Sequence, residues 1–370
     1  MRNGRRAGSA PAKEKMIPDT MKALVVTGRN QYVLKTVPVP EPKEGEMLVK
    51  VEACGICAGD IKASHGTARF WGGDGMPAYC EPPFTPGHEF FGRVAAIGGK
   101  VPGDFSVGDR VISEQIVPCG ECWYCKRGMY WLCDPHNVYG FKYYLNGGMA
   151  EYAILPAGSR NYHVPDDFTL EQGALIEPFS CSLHAVRQAD PHEGDTVVLA
   201  GAGTLGLGMV QALSQRRFRQ LIVLDLMDSR LRLAKSFGAD EVLNPSACNA
   251  VEEVKKLTGG VGCDIYIEAT GHPAAVQQGL DMLRKAGRFV EFSVMSGPST
   301  VDWSIIGDAR ELTIVGSQLS PNCYEDVIAS LRKGATRTEG VITHRFPLSD
   351  WEEAYRVAQT KDAIKVVLIP

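Results

Sequence analysis

Three observations predict an α/β protein with a β-rich lobe and a doubly wound parallel sheet. Over about residues 22–117, short alternating strands such as MLVKVEA and GRVAAIG are broken by Gly and Pro turns. From about residue 195 the strands TVVLA, LIVLD, IYIEA and RFVEFSV alternate with helical stretches of ten to fifteen residues, as in a parallel sheet covered on both faces. The length of 370 residues exceeds one average domain and suits two.

Taken in order, the chain opens with Arg2, Arg5, Arg6, Lys13 and Lys15 among small residues. No apolar core of a signal peptide follows, so residues 1–20 are expected to be a disordered basic tail. The first lobe is expected over 21–180 and the nucleotide lobe over 181–319. Beyond residue 318, YEDVIASLRKG and LSDWEEAYRVAQTKDAIKVVLIP predict two amphipathic helices and a closing strand, so that 320–370 completes the first lobe. A net charge of −4 supplies no basic stripe for nucleic acid, and no apolar run reaches the eighteen residues of a membrane span. Eleven cysteines without a secretion signal point to a reducing, cytoplasmic setting in which thiols bind metal or pack in cores.

The strand TVVLA runs into GAGTLGLG, which sets Gly201, Gly203 and Gly206 in the G-x-G-x-x-G arrangement at the start of a helix. Gly201 permits the tight turn, Gly203 lets a pyrophosphate approach the backbone, and Gly206 lets the helix pack on the strand. The next strand ends in Asp225, nineteen residues after Gly206, where a carboxylate can accept both adenosine ribose hydroxyls and repel a 2′-phosphate. This Rossmann-type arrangement predicts NAD, with Leu205 in the turn, Arg230 near the adenosine, and Phe292 and Val294 at the end of RFVEFSV completing the cofactor set.

Cys119, Cys122, Cys125 and Cys133 have the spacing Cys-x2-Cys-x2-Cys-x7-Cys, suited to a tetrahedral structural zinc with every position filled by thiolate. A second set is scattered: Cys54 and Cys57 in CGICAGD, His88 and Glu89 in PGHEFFG, and Glu177 in IEPFSC. An open zinc site needs about three such ligands and one free position for an alcohol oxygen.

Together GIC-x-x-D, GHE-x-x-G, the cysteine lobe, EP and the glycine turn resemble the zinc-dependent medium-chain dehydrogenase/reductase family over roughly residues 21–370. The resemblance implies a GroES-like catalytic domain and a Rossmann cofactor domain. It implies two zinc ions per chain, the catalytic one held by Cys57, His88 and Glu89, with Cys54 left to packing. Glu177 is implied as an alternative ligand or as the partner of zinc-bound water, and Asp60 as the group that orients His88. His184 reads as a buried structural histidine. HGTARFWG, SEQIVPC, CKRG, YGFK and VDWSII look most like the bacterial erythritol/L-threitol dehydrogenases. That implies a polyol substrate and a homodimer or homotetramer.

Three positions depart from the family pattern. Gly59 stands where a Ser or Thr usually relays the alcohol proton, Lys62 replaces a frequent relay histidine, and Ala63 replaces an aromatic used by sorbitol dehydrogenases. Two proton routes remain open, water with Glu177 or Lys62. Leu319 and Ser320 fall where sorbitol enzymes carry an Arg-Tyr pair, which disfavours sorbitol. Phe70 and Trp71 lie between Cys57 and His88, either walling the substrate site or forming a local core under the loop. Other polyols and threonine are the competing substrates, and a non-catalytic NAD- and zinc-binding protein is the reading outside enzymes.

Overall fold

The computed structural model describes residues 17–73 and 75–370. The expected tail at 1–16 therefore lies outside the described residues, and Thr20 already opens the strand Thr20–Gly28. This strand forms an antiparallel ribbon with Gln31–Pro38.

A parallel six-stranded sheet follows the order Glu241–Leu243, Gln220–Leu224, Thr196–Ala200, Cys263–Glu268, Leu283–Glu291, Thr313–Gly316. The order reverses beside Thr196–Ala200, so the cleft for a dinucleotide opens at the carboxyl end of that strand. Alternate side chains of one strand serve two cores: Val197 and Leu199 pack with the helix Leu170–Ala189, while Val198 and Ala200 pack with Ala250, Val254 and Leu280 on the other face. Burial on both faces explains the unbroken apolar run TVVLA.

The other lobe centres on a seven-stranded sheet in which Glu46–Gly55 pairs antiparallel with Glu89–Gly98 and Tyr152–Leu155. Ile342–Pro347 and Lys365–Ile369 complete it, with Val367 opposite Gly55 and Leu368 opposite Cys54. This register carries Lys365 into the heart of the first lobe.

Leu170–Ala189 is one continuous helix across the boundary expected at 180/181. Thr169 caps it: its hydroxyl accepts from Gln172 N at 3.2 Å, and the Gln172 side chain accepts from Thr169 N at 2.9 Å. Its core also contains Ala53 and Phe91 of the first lobe, so the two lobes share a rigid wall. The helix Tyr324–Arg332 packs into that same core through Tyr324, Val327 and Leu331, and the return to the first lobe's sheet comes at Ile342 rather than at residue 320.

Candidate active site

Cys57 ends the turn after Glu46–Gly55 and caps the short helix Ala58–Ser64. Its sulfur accepts from Gly59 N at 3.5 Å, and Asp60 Oδ2 accepts from Cys57 N at 2.9 Å. His88 and Glu89 approach from PGHE, where Gly87 has φ of +96° and a Cβ there would lie 2.5 Å from Cys54 Sγ. Cys54 is thus packed beneath the turn, as expected, and only glycine fits the crossing. Glu89 opens its strand opposite Gly55, whose missing side chain makes room for the carboxylate: a Cβ there would lie 2.1 Å from Glu89 Oε2.

Ligand atoms of Cys57, His88 and Glu89 lie within 4.8 Å of one another. The set fits zinc: one thiolate, one imidazole and one carboxylate, with His88 Nδ1 buried and lacking a hydrogen-bond partner. Asp60 Oδ1 faces that nitrogen at 3.9 Å, beyond hydrogen-bond length, and is itself unpartnered. Glu177 stands outside the group of three, on the helix Leu170–Ala189, immediately before the internal Pro178. Its carboxyl is pushed up to about 7 by burial and by the Glu89 charge.

A residue that the sequence reasoning missed completes the charge balance. Lys365 is buried, and its ammonium donates to Glu89 Oε2 at 2.5 Å and to Ile56 O at 3.2 Å. Burial opposes its charge, but Glu89 prevails and holds its pKa above the usual lysine range. In sequence the only available signal is a lone lysine opening an apolar strand, KVVLI. The adjoining backbone belongs to the nucleotide side: Ile364 O accepts from Thr204 Oγ1 at 2.9 Å, just past the glycine turn.

That turn has the expected geometry. A Cβ on Gly206 would lie 1.9 Å from Gly201 O, whereas one on Gly203 would meet nothing within 4 Å, leaving open space over the helix N-terminus at Thr204. Asp225 accepts from Ala202 N at 2.7 Å and Met227 N at 2.8 Å, which pins a carboxylate at the end of its strand beside the turn. Leu205 is partly buried against the core beneath, and its carbonyl accepts from Ser182 Oγ at 2.8 Å. Arg230, on the helix that follows Asp225, donates its guanidinium to Ala363 O at 2.6 Å and Lys361 O at 3.2 Å, tying the nucleotide lobe to the segment before the final strand. Phe292 packs on the core next to the carboxyl end of Leu283–Glu291, and Val294 is exposed two residues on.

Lys62 donates to the carbonyl of Val294 and so bridges the two lobes, with its pKa lowered chiefly by burial. The neighbouring aromatics separate in role. Phe70 is buried, stacks on Phe141 at 5.4 Å, and reaches to 3.8 Å from where a Gly59 Cβ would sit, a point also 3.8 Å from Cys57 Sγ. Phe141 in turn faces the His88 ring at 5.8 Å. Trp71 instead donates its indole N–H to Ala63 O at 2.8 Å and anchors the loop. Leu319, from the nucleotide lobe, packs against this same aromatic cluster.

The sulfurs of Cys119, Cys122, Cys125 and Cys133 also gather within 4.8 Å. Backbone N–H groups of Cys119, Cys122 and Cys125 donate to Cys133, Cys119 and Cys122 sulfurs at 3.2, 3.3 and 3.4 Å. Within this coupled cluster the backbone N–H of Cys125 lowers the Cys122 thiol to about 6, while burial raises Cys125 and Cys133.

Two family models match the chain: Alcohol dehydrogenase GroES-like domain over residues 43–166 and Zinc-binding dehydrogenase over 204–333. The chain belongs to the zinc-dependent medium-chain dehydrogenase/reductase family. It is 46% identical to an erythritol/L-threitol dehydrogenase of Mycolicibacterium smegmatis, over 96% of this chain and 99% of that one. A zinc-binding dehydrogenase of Sinorhizobium meliloti bound to NADP superposes with a TM-score of 0.86 at 29% identity, covering 95% of this chain and 100% of that one. A structure described as a short chain alcohol dehydrogenase of Escherichia coli CFT073 complexed with cofactor NADH gives 0.83 at 32% identity, over 95% and 100% of the two chains. The chain is accordingly an enzyme of the zinc-dependent alcohol and polyol dehydrogenase class with a nicotinamide cofactor. Among the described residues no helix is long and apolar enough to cross a membrane.

Proposed function

We propose that this enzyme oxidises a secondary alcohol of a four-carbon polyol, erythritol or L-threitol, to erythrulose with NAD as hydride acceptor. The observation that carries the reading is the Cys57, His88 and Glu89 set beside Phe70, joined to the glycine turn of the second lobe through Thr204, which donates to Ile364 O next to the Lys365 that pairs with Glu89. Cys57, His88 and Glu89 would hold a zinc ion that would supply Lewis acidity toward the alcohol oxygen, and Gly201, Gly203, Gly206 and Asp225 would hold the NAD whose nicotinamide supplies hydride chemistry. Phe70 and Phe141 stack beside the metal ligands, where they would limit water, and Leu319 packs on that cluster from the other lobe. Glu177, buried beside the three-residue set with its carboxyl raised by burial, is the group suited to receive the alcohol proton through water. Lys62 is engaged by the Val294 carbonyl and serves the joining of the lobes.

Phe70, packed beside Cys57, is the residue assigned to limit substrate size, and the 46% identical relative supports a tetritol. NAD reduction compared across tetritols, pentitols, hexitols and threonine tests this: the tetritols should have the highest kcat/KM, and equal rates on all of them would refute the four-carbon assignment. Phe70→Ala should raise the sorbitol-to-erythritol ratio of kcat/KM by roughly ten-fold, since each excluded methylene corresponds to about 1–3 kcal/mol.

The fixed Asp225 carboxylate favours NAD over NADP, and Asp225→Ser with Leu226→Arg should lower NAD efficiency about ten-fold while raising use of NADP. Two zinc ions per chain, one at each cysteine-containing cluster, are expected from metal analysis. The eleven unpaired cysteines favour the reducing cytoplasm. Ile314 is exposed on the terminal strand of the parallel sheet and Trp303 is exposed in the segment before it, which favours a homodimer or homotetramer that sedimentation can resolve.

A further inference from the structure

Glu114 and Gln115 follow the strand Arg110–Ser113, and their side chains join different networks. Glu114 Oε1 accepts from Tyr130, Arg160 and Tyr162 near the cysteine lobe. Gln115 joins a buried chain toward the metal site. Its Oε1 accepts from Ser320 Oγ at 2.7 Å and from the Tyr324 hydroxyl at 3.2 Å, and its Nε2 donates to Cys181 Sγ at 3.1 Å. The Cys181 thiol then donates to Glu177 Oε1 at 3.6 Å. All five side chains are buried.

The donors run in one direction. Two hydroxyls converge on the amide oxygen, so the amide nitrogen faces the sulfur, and the thiol proton is left for the carboxylate. Reversing the amide would turn its N–H groups on Ser320 and Tyr324 and draw the thiol proton away from Glu177. In a low-dielectric interior such a chain orients each member through its neighbours.

The same amide anchors a strained loop. Leu319 and Asn322 have φ of +55° and +53°, left-handed values that asparagine adopts readily but that leucine holds only when its surroundings enforce them. Ser320 lies between them, and Tyr324 follows at the head of the next helix.

We propose that Gln115 is a positioning residue that holds the Glu177 carboxyl and the pocket-wall loop 319–322 in register as one hydrogen-bonded unit. Its catalytic consequence rests on the alcohol-oxidation reading above, whereas the chain itself can be tested without a substrate. The infrared S–H stretch of Cys181 is isolated by subtracting the spectrum of Cys181→Ala from that of the parent. It should lie below that of an unbonded thiol and should move in Gln115→Met, which keeps the length and removes the amide.

In turnover, Gln115→Met and Cys181→Ala should each lower kcat about ten-fold with the KM for NAD unchanged, in keeping with loss of a hydrogen bond to a charged group. Cys181→Ser, which keeps a donor and an acceptor, should restore kcat to within about three-fold of the parent. In a Glu177→Gln background Gln115→Met should cost little further, because the two act in series. Should Gln115→Met fail to fold, Cys181→Ala and its serine rescue carry the test alone. A free-thiol frequency for Cys181, or parental kcat in the folded variants, would overturn the proposal. A parent that oxidises no polyol while its S–H band behaves as expected would sink the substrate reading and leave the chain standing.

Discussion

The four-cysteine lobe and the Cys57, His88 and Glu89 cluster each bring their ligand atoms within 4.8 Å of one another, yet they are built in opposite ways. Fifteen consecutive residues, 119–133, make the first, and their own backbone N–H groups stabilise its thiolates. The second draws on residues 57–60, 88–89, 177 and 365, and its buried carboxylate is balanced by a lysine 276 positions away. A closed metal site can therefore be a local property of the chain. An open one must be buried to exclude water, and burial demands counter-charges that only the folded sheet supplies.

The sharpest way to break that contrast is to remove the distant partner. In zinc-free protein, Lys365→Met leaves Glu89 buried without its counter-charge and should cost about 3–5 kcal/mol in urea unfolding. Arg127→Met, which loses an exposed stacking contact over Trp123 and an exposed hydrogen bond to the Trp123 carbonyl, should cost about 1 kcal/mol or less.

Metal content separates the sites next. Cys57→Ala should drop zinc from two ions to one per chain and reduce polyol oxidation by roughly a hundred-fold or more, since the metal's charge stabilisation amounts to several kcal/mol. Cys122→Ser should also leave one ion, but its damage should show as lost solubility or assembly while the Cys57 cluster stays chemically intact. Unchanged zinc in Cys57→Ala would collapse the distinction.

Between the two sites lies His184, buried on the helix that carries Glu177 and touched at its edge by Trp131 of the lobe. Burial, aided by Arg187, lowers its pKa from 6.5 to about 4. The native state thus binds fewer protons than the unfolded chain between those values. The contribution is fully present above pH 6.5 and is lost as pH falls toward 4. His184→Phe should flatten this acid-side loss by roughly 2 kcal/mol when urea midpoints are compared across that window. A variant with the parental slope would assign the pH dependence elsewhere.

The smallest effect belongs to Gly59→Ser. Its new Cβ would sit 3.8 Å from both Cys57 Sγ and Phe70 Cζ, ordinary contact distances, so thermal unfolding should show a change within about 0.5 kcal/mol. A large loss would mean that the space beside the metal ligands is tighter than the geometry indicates.

Legibility in the sequence followed the same divide. The glycine turn, Asp225 and the cysteine lobe could be read because each lies within one strand-turn-helix unit or one loop. Phe70 and Trp71 could not be told apart, since adjacent residues on a four-residue helix point in different directions and only packing shows which meets the metal side. The contacts of Arg230 were illegible for a related reason: its helix is local, but the carbonyls it reaches belong to residues 361 and 363. Lys365 was missed, and Gln115 was noticed only as a letter in a motif.

By itself, then, the sequence determined the parallel sheet with its phosphate-facing turn, the acid that follows it, the closed sulfur loop and the identity of three metal-competent side chains. Those features depend on backbone spacing and side-chain chemistry, which covalent order carries directly. Only the tertiary structure decided that Lys365 neutralises Glu89, that Gln115 reaches Glu177 through Cys181, and that Leu319 meets the Phe70 cluster across the cleft. The physical reason is that such contacts arise from strand register and lobe docking, where a shift of one residue turns a side chain to the opposite face.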